Sequence, residues 1–287
     1  MSAVAAGTSE IGTVETPSGK GRDSENFPVG SWLIRRDLRP HVHAFYRFAR
    51  NADDIADNPE LMPEDKLRRL DRMAEILEGA PGSDSPAALA MRTSLAETGT
   101  TAQHCHDLLK AFRLDAIKSR YRNWDDLMAY CRYSAAPVGR QLLDLHGESR
   151  VTWPPSDALC AALQVLNHLQ DCAADYRSLD RVYVPLDALG SMGLTAAALS
   201  AAAASPALRR ALDMLLDRTE ALMVGARDLP VRVAARVLRW ESAVIVTLAG
   251  RLAGRLRRGD PLATRVKLTG GDFAASFLTG IFARHRR

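Results

Sequence analysis

From about residue 39 onward, apolar positions recur every three or four residues, the spacing that puts them on one buried face of an α-helix. Phe45, Phe48, Ala49, Ala52, Ile55 and Ala56 make the first such stripe, in a run that Pro40 opens and Pro59 closes. Leu67, Leu70, Met73, Ile76 and Leu77 make the second, over 63–77. The Gly, Pro, Ser and Asp residues of 79–86 mark a loop. The pattern then predicts helices at roughly 86–98, 101–118, 124–146, 155–177, 194–203, 205–226, 230–257 and 270–284. Only Arg181-Val-Tyr-Val-Pro185 reads as extended. No repeat and no linker divides the chain. The expectation is one all-α domain over 26–287, preceded by a Gly/Ser/Thr-rich tail at 1–25 that is expected to be disordered.

Composition narrows the class. A chain of 287 residues with 47% hydrophobic and 25% charged residues has ample material for a core. The net charge of +4, without basic clusters interleaved by aromatics, leaves no footprint for nucleic acid. Cys105, Cys131, Cys160 and Cys172 include no CxxC pair, which points to a reducing, cytoplasmic setting rather than a disulfide framework. The first residues lack a hydrophobic signal core, and no run of about 20 apolar residues suits a membrane span. His41 and His43, like His104 and His106, are two apart, the wrong helical spacing for a shared metal, and read as ordinary histidines. No GxGxxG follows a strand, and no GxSxG or Walker sequence occurs.

Charge inside the apolar pattern changes the picture. Asp53, Asp54 and Asp57 lie within five residues on the first apolar helix, with Asp53 and Asp57 on one face about 6 Å apart along the axis. Far downstream, Asn167, Asp171 and Asp175 stand at i, i+4 and i+8. Either set alone is most simply a solvated helix face. Two such sets embedded in apolar helices repel unless a cation sits between them. Mg²⁺ takes oxygen ligands and bridges substrate phosphates, so the pair points to a site that ionises a diphosphate.

Flanking residues extend these motifs. Tyr46-x-x-x-Arg50-x-x-Asp53-Asp54-x-x-Asp57, Tyr130-Cys-x-Tyr133-x-x-x-Pro137-Val-Gly139 and Asn167-x-x-Gln170-Asp171-x-x-x-Asp175, followed by Arg181-x-Tyr183, occur in order across most of the chain. In them the sequence resembles the squalene and phytoene synthases, which join prenyl diphosphates head to head. The resemblance implies an isoprenoid-synthase helical bundle around a central cavity. It also implies that Asp53, Asp54, Asp57, Asn167, Asp171 and Asp175 bind several Mg²⁺ ions. Ser24, Tyr46, Arg50, Gln170 and Arg181 are then expected at the diphosphate, and Asp53, Asp57, Asp171, Asp175 and Tyr183 in catalysis. Glu25 stands where the family usually carries a basic residue beside the serine.

Three reactions are open to such a chain: coupling of two farnesyl diphosphates, conversion of presqualene diphosphate to squalene with NADPH, and capture of the presqualene cation by water. Glu25–Ser31, Ser134–Arg140 and Arg257–Leu262 look most like the hydroxysqualene synthase subgroup of hopanoid biosynthesis, which implies presqualene diphosphate as substrate and no NADPH. A non-catalytic isoprenoid-binding scaffold is the alternative of another class. Asp115, Lys118, Arg120 and Arg122 are expected near the same cavity, or else on a solvated helix. The basic end of 230–257, at Arg251, Arg255, Arg257 and Arg258, reads either as contact with a membrane surface or as favourable charge at a helix C-terminus. Pro137 inside 124–146 predicts a kink. The carbonyl of Tyr133, with Gly139 nearby, is then expected to position the water that captures the cation, unless the kink serves packing alone.

Overall fold

A computed structural model of the chain describes residues 13–16 and 34–281. The first helix, α1 (Arg39–Asp57), carries Pro40 in its first turn and ends where Asn58, which precedes Pro59, turns extended. It packs with α2 (Pro63–Leu77), α3 (Pro86–Thr98) and α4 (Gln103–Ile117). Phe48, Ile55, Leu70, Met73, Met91 and Leu109 fill the core between them with almost no exposed surface. The second half is built on α7 (Trp153–Leu179), 27 residues long, which packs on α9 (Pro206–Ala226) and α11 (Arg236–Arg258). Leu166, Leu212, Leu216 and Leu252 are central to that core.

The run expected as one kinked helix at 124–146 is two. α5 (Trp124–Ser134) and α6 (Ala136–Leu145) are separated at Ala135, at φ −116° and ψ −50°. Pro137 therefore lies in the first turn of α6, where its missing N–H costs little because first-turn groups have no helical partner. The helix expected at 194–203 is only a 3₁₀ stretch at 196–200. Its alanines favour helix, but Leu199 alone of the stretch is buried, and isolated short helices are unstable without a packed face. The short α8 (Leu186–Gly190) was not legible, and the expected 230–257 helix divides into α10 (Leu229–Arg232) and α11. α12 (Gly270–Ile281) packs along α11. The extended run after α7 forms one parallel bridge, Arg120 to Val182.

Four residues of the 1–25 tail are held in place, contrary to a tail that is disordered throughout. The N–H of Val14 donates to the Asp84 carbonyl at 2.8 Å, and the Glu15 carboxylate accepts from Ser85 Oγ and the Ala87 N–H. Among the described residues no helix is long and apolar enough to cross a membrane.

Between the two halves lies an apolar cavity of ≈ 340 Å³, walled by α1, α6, α7, α10 and α11. Gly139 sets the approach of α6 to α7: a Cβ there meets Ser156 Oγ at 2.3 Å and Cys160 Sγ at 2.7 Å. Gly139→Val should therefore force α6 off α7 and cost about 1–3 kcal/mol, as overpacked cores do. Urea unfolding checks this; unchanged stability would mean the two helices separate freely.

Candidate diphosphate site

Each acidic helix changes character along one stripe. On α1 the stripe runs from Phe45 and Ala49, which line the cavity, to half-buried Asp53 and Asp57. On α7 it runs from Leu159 and Leu163, which line the same cavity, to half-buried Asn167, Asp171 and Asp175. A spacing of four residues keeps each set on one face, so the acidic end follows directly from the apolar one. The result is an amphiphilic slot, oily at one end and anionic at the other.

Arginines hold the acidic end together. Arg50 contacts Asp53 at 3.2 Å and Asp54 at 3.2 Å. Asp54 is buried against this guanidinium, whereas Asp53 and Asp57 keep about a third of their side chains exposed, 35% and 30%. Arg265 grips Asp171 through two bonds of 2.6 and 2.8 Å. Arg181 follows α7 after Asp180, whose left-handed backbone at φ 48° turns the chain. Asp tolerates that conformation better than most residues. Arg181 then reaches Asp57 at 2.6 Å and the Asp115 carbonyl at 3.1 Å. Lys66 adds positive charge beside them, donating to the Ala56 carbonyl at 2.8 Å. Burial, then Arg181, holds its ammonium below the usual lysine range.

A buried layer stands behind the carboxylates. Asp115 accepts from Tyr130 at 2.7 Å and from Tyr183 at 3.0 Å. Tyr183 stacks on His168 with ring centres 3.5 Å apart. Burial pushes both phenols well above their ordinary range and lowers His168 to about 3, so at neutral pH all three rings are uncharged. The Tyr183 hydroxyl thus belongs to this supporting layer and not to the cavity wall.

Burial and crowding raise the pKa of three carboxyls at and behind the mouth. Burial, then the charge of Asp57, pushes Asp53 up to about 8. Burial, then Asp171, pushes Asp175 up to about 7, and burial pushes Asp115 up to about 6.

The structure redistributes several expected residues. Tyr46 lines the apolar cavity, and Arg50, one turn further along α1, pairs with the carboxylates. Gln170 instead donates its amide to the Val266 carbonyl at 2.5 Å and is buried. Ser24 lies outside the described residues. Lys118 pairs with Asp126 at 2.7 Å, Arg120 with Asp180, and Arg122 is exposed, so of that quartet Asp115 alone joins the site. Tyr133 packs under Lys110, whose ammonium stands 3.9 Å from the ring centre, while Gly139 does line the cavity. Lys66, His168 and Arg265 were missed: Lys66 and Arg265 are single residues outside the acidic motifs, and His168, although inside the second, is an unspecified position of it. At the basic end of α11, Arg251 and Arg255 pair with Asp272, and Arg257 with Asp217 and Glu220, which leaves less charge for a membrane surface.

The family model for squalene/phytoene synthase matches residues 21–272. The chain belongs to the squalene/phytoene synthase family. It is 47% identical over 264 residues to a hydroxysqualene synthase of Rhodopseudomonas palustris, covering 92% of this chain and 90% of that protein. It is also 47% identical to a hydroxysqualene synthase of Zymomonas mobilis, over 87% of this chain and 84% of that one. Among solved structures, squalene synthase HpnC from Alicyclobacillus acidocaldarius superposes with a TM-score of 0.72 at 33% identity, over 83% of this chain and 90% of that one. A ligand-bound dehydrosqualene synthase superposes with a TM-score of 0.74 at 20% identity, over 90% and 91% of the two chains, which shows the shared fold.

Two measurements test this family site as it stands. A carboxyl whose folded pKa exceeds its unfolded value binds its proton more tightly in the folded chain. Its contribution to stability is full below about pH 4 and lost as pH rises through the folded pKa. For Asp53 and Asp175 that loss begins at about pH 4 and is complete at about 7 to 8. With chelator present, Tm should therefore drop as pH rises through this range, and Asp53→Asn should flatten the slope; an unaltered slope contradicts the crowding. Arg181→Met should cost about 3–5 kcal/mol at alkaline pH by leaving buried carboxylates uncompensated. Denaturation near pH 5 should show a smaller loss, because Asp115 then takes a proton.

Proposed function

We propose that this chain is a hydroxysqualene synthase: it ionises presqualene diphosphate and lets water add to the rearranged cation, releasing diphosphate. The observation that carries this reading is the stripe on α1 and α7, where an apolar cavity gives directly onto crowded carboxylates and arginines. Such a slot fits a long hydrocarbon with an anionic head. The identity with hydroxysqualene synthases over most of the chain supports the choice among family reactions.

Arg50, Arg181 and Arg265 orient the diphosphate. Each can exchange its carboxylate for a phosphate oxygen, a charge-assisted bond about twice as strong as a neutral one. The apolar wall excludes bulk water and keeps the hydrocarbon folded while charge develops. Tyr46, on that wall beside Arg50, presents an aromatic face near the same junction.

The donor set also fits magnesium. Asp53, Asp57, Asn167, Asp171 and Asp175 offer only oxygen, and crowding keeps protons on two of them that a divalent cation would displace. Among the described residues no three acids close a cage on their own. Mg²⁺ suits such an open arrangement, since it keeps several waters and binds one or two carboxylates together with substrate phosphates. When bound, it neutralises the departing diphosphate. Asp54 sits deeper, against Arg50, and supports that arginine. We place the enzyme in the cytoplasm, a reading supported by four free cysteines.

Incubation with presqualene diphosphate and Mg²⁺ in ¹⁸O-water, without NADPH, should yield an alcohol carrying one ¹⁸O, while farnesyl diphosphate alone should stay unreacted. Squalene formed only when NADPH is added, or consumption of farnesyl diphosphate, would transfer the chain to another family reaction. No turnover of either substrate would favour a binding scaffold. Asp53→Asn and Asp175→Asn should each lower kcat by about 10²–10³ in a folded protein, the usual worth of one preorganised electrostatic contact.

A further inference from the structure

The cavity wall is mostly leucine, valine, isoleucine and aromatic side chains, yet Gln141 of α6 is part of it. Gln141 is 1% exposed, and neither its amide oxygen nor its amide nitrogen has a hydrogen-bond partner among the described residues. Buried amides are normally bonded on both atoms, so such a group in a cavity implies a ligand or water that it serves. The two serines of the wall do not offer the same opening. Ser242 donates to the Leu238 carbonyl of its own helix at 2.7 Å, and Ser156 lies against Gly139 and Cys160. Leucines 142, 143 and 145 flank Gln141 along the wall, and Glu241 stands in the same lining from α11, itself buried.

We propose that Gln141 is the positioning residue that holds the capturing water inside the apolar cavity, and so sets the ratio of alcohol to hydrocarbon product. This rests on the reaction proposed above and names the group that directs it. The substrate C–O bond breaks and its electron pair leaves with diphosphate. Gln141 Oε1 accepts one O–H of the water, which leaves an oxygen lone pair to form the new C–O bond with the cation. The proton of the resulting oxonium is taken up by the released diphosphate, the base that the reaction itself supplies. The amide suits this task because it is polar but neither acidic nor basic: it fixes a water without itself adding to the cation or removing a proton from it. The assignment also replaces the Tyr133 carbonyl, expected to hold this water if Pro137 kinked one long helix. Pro137 opens α6 instead, and Gln141 lies one turn further along it.

Gln141→Leu and Gln141→Met keep nearly the same volume and remove both unpaired polar atoms. Each variant and the wild type are given presqualene diphosphate with Mg²⁺, and products are resolved by mass. The readout is the ratio of alcohol to hydrocarbon, which a smaller fraction of folded enzyme does not move. That ratio should fall by about tenfold or more in both variants, in keeping with the cost of misplacing a reacting group. An unchanged ratio in either variant overturns the assignment and leaves the hydroxysqualene reading standing. A wild-type enzyme that leaves presqualene diphosphate untouched overturns both.

Discussion

One buried guanidinium holds the acidic end of this bundle together. Arg181 bonds to Asp57 at the end of α1, to the Asp115 carbonyl at the end of α4, and to the Tyr183 hydroxyl beside them. Burial alone would lower its pKa. Tyr183, Asp115 and Asp57 more than offset that, so the charge stays fixed. Without such a cation, two acidic helices could not present their carboxylates toward one slot, because like charges in a poorly solvated place expel each other or take up protons. Asp53 and Asp175 take up protons in just this way. The carboxylates are therefore held near a balance between arginine pairs and protons.

The support behind the arginine has its own logic. Asp115 keeps Tyr130 and Tyr183 oriented, and His168 stacks on Tyr183 as a neutral ring. None of these groups needs to touch a substrate. Their part is to keep Arg181 in one place, so that a single geometry is offered when phosphate arrives. The hydrocarbon end needs the opposite, a wall with few polar atoms, and the chain supplies it by changing composition on the same helical face. One turn of helix separates Ala49 from Asp53, and another separates Leu163 from Asn167. That short distance places apolar and acidic surface side by side on the same helices.

Much of this was legible because it is local. The all-α class followed from apolar spacing, and α1, α2 and α3 begin and end within a residue of expectation because proline and glycine punctuate them. Errors arose where local propensity and packing disagree. Alanine-rich 194–203 had the composition of a helix but no buried face, and became a 3₁₀ stretch. Pro137 looked like a kink because nothing in the apolar pattern showed that the chain breaks two residues before it, at Ala135.

By itself the sequence determined which residues share a helical face, hence the two acidic stripes, their apolar neighbours and the family whose motifs they match. A helix's period is set by its backbone, so these follow from counting. Only the tertiary structure decided which partner each polar group takes: Arg265 for Asp171, the Val266 carbonyl for Gln170, and none among the described residues for Gln141. Those choices join residues as many as 96 positions apart. They depend on how separate helices meet, a matter of shape and burial that no local spacing records.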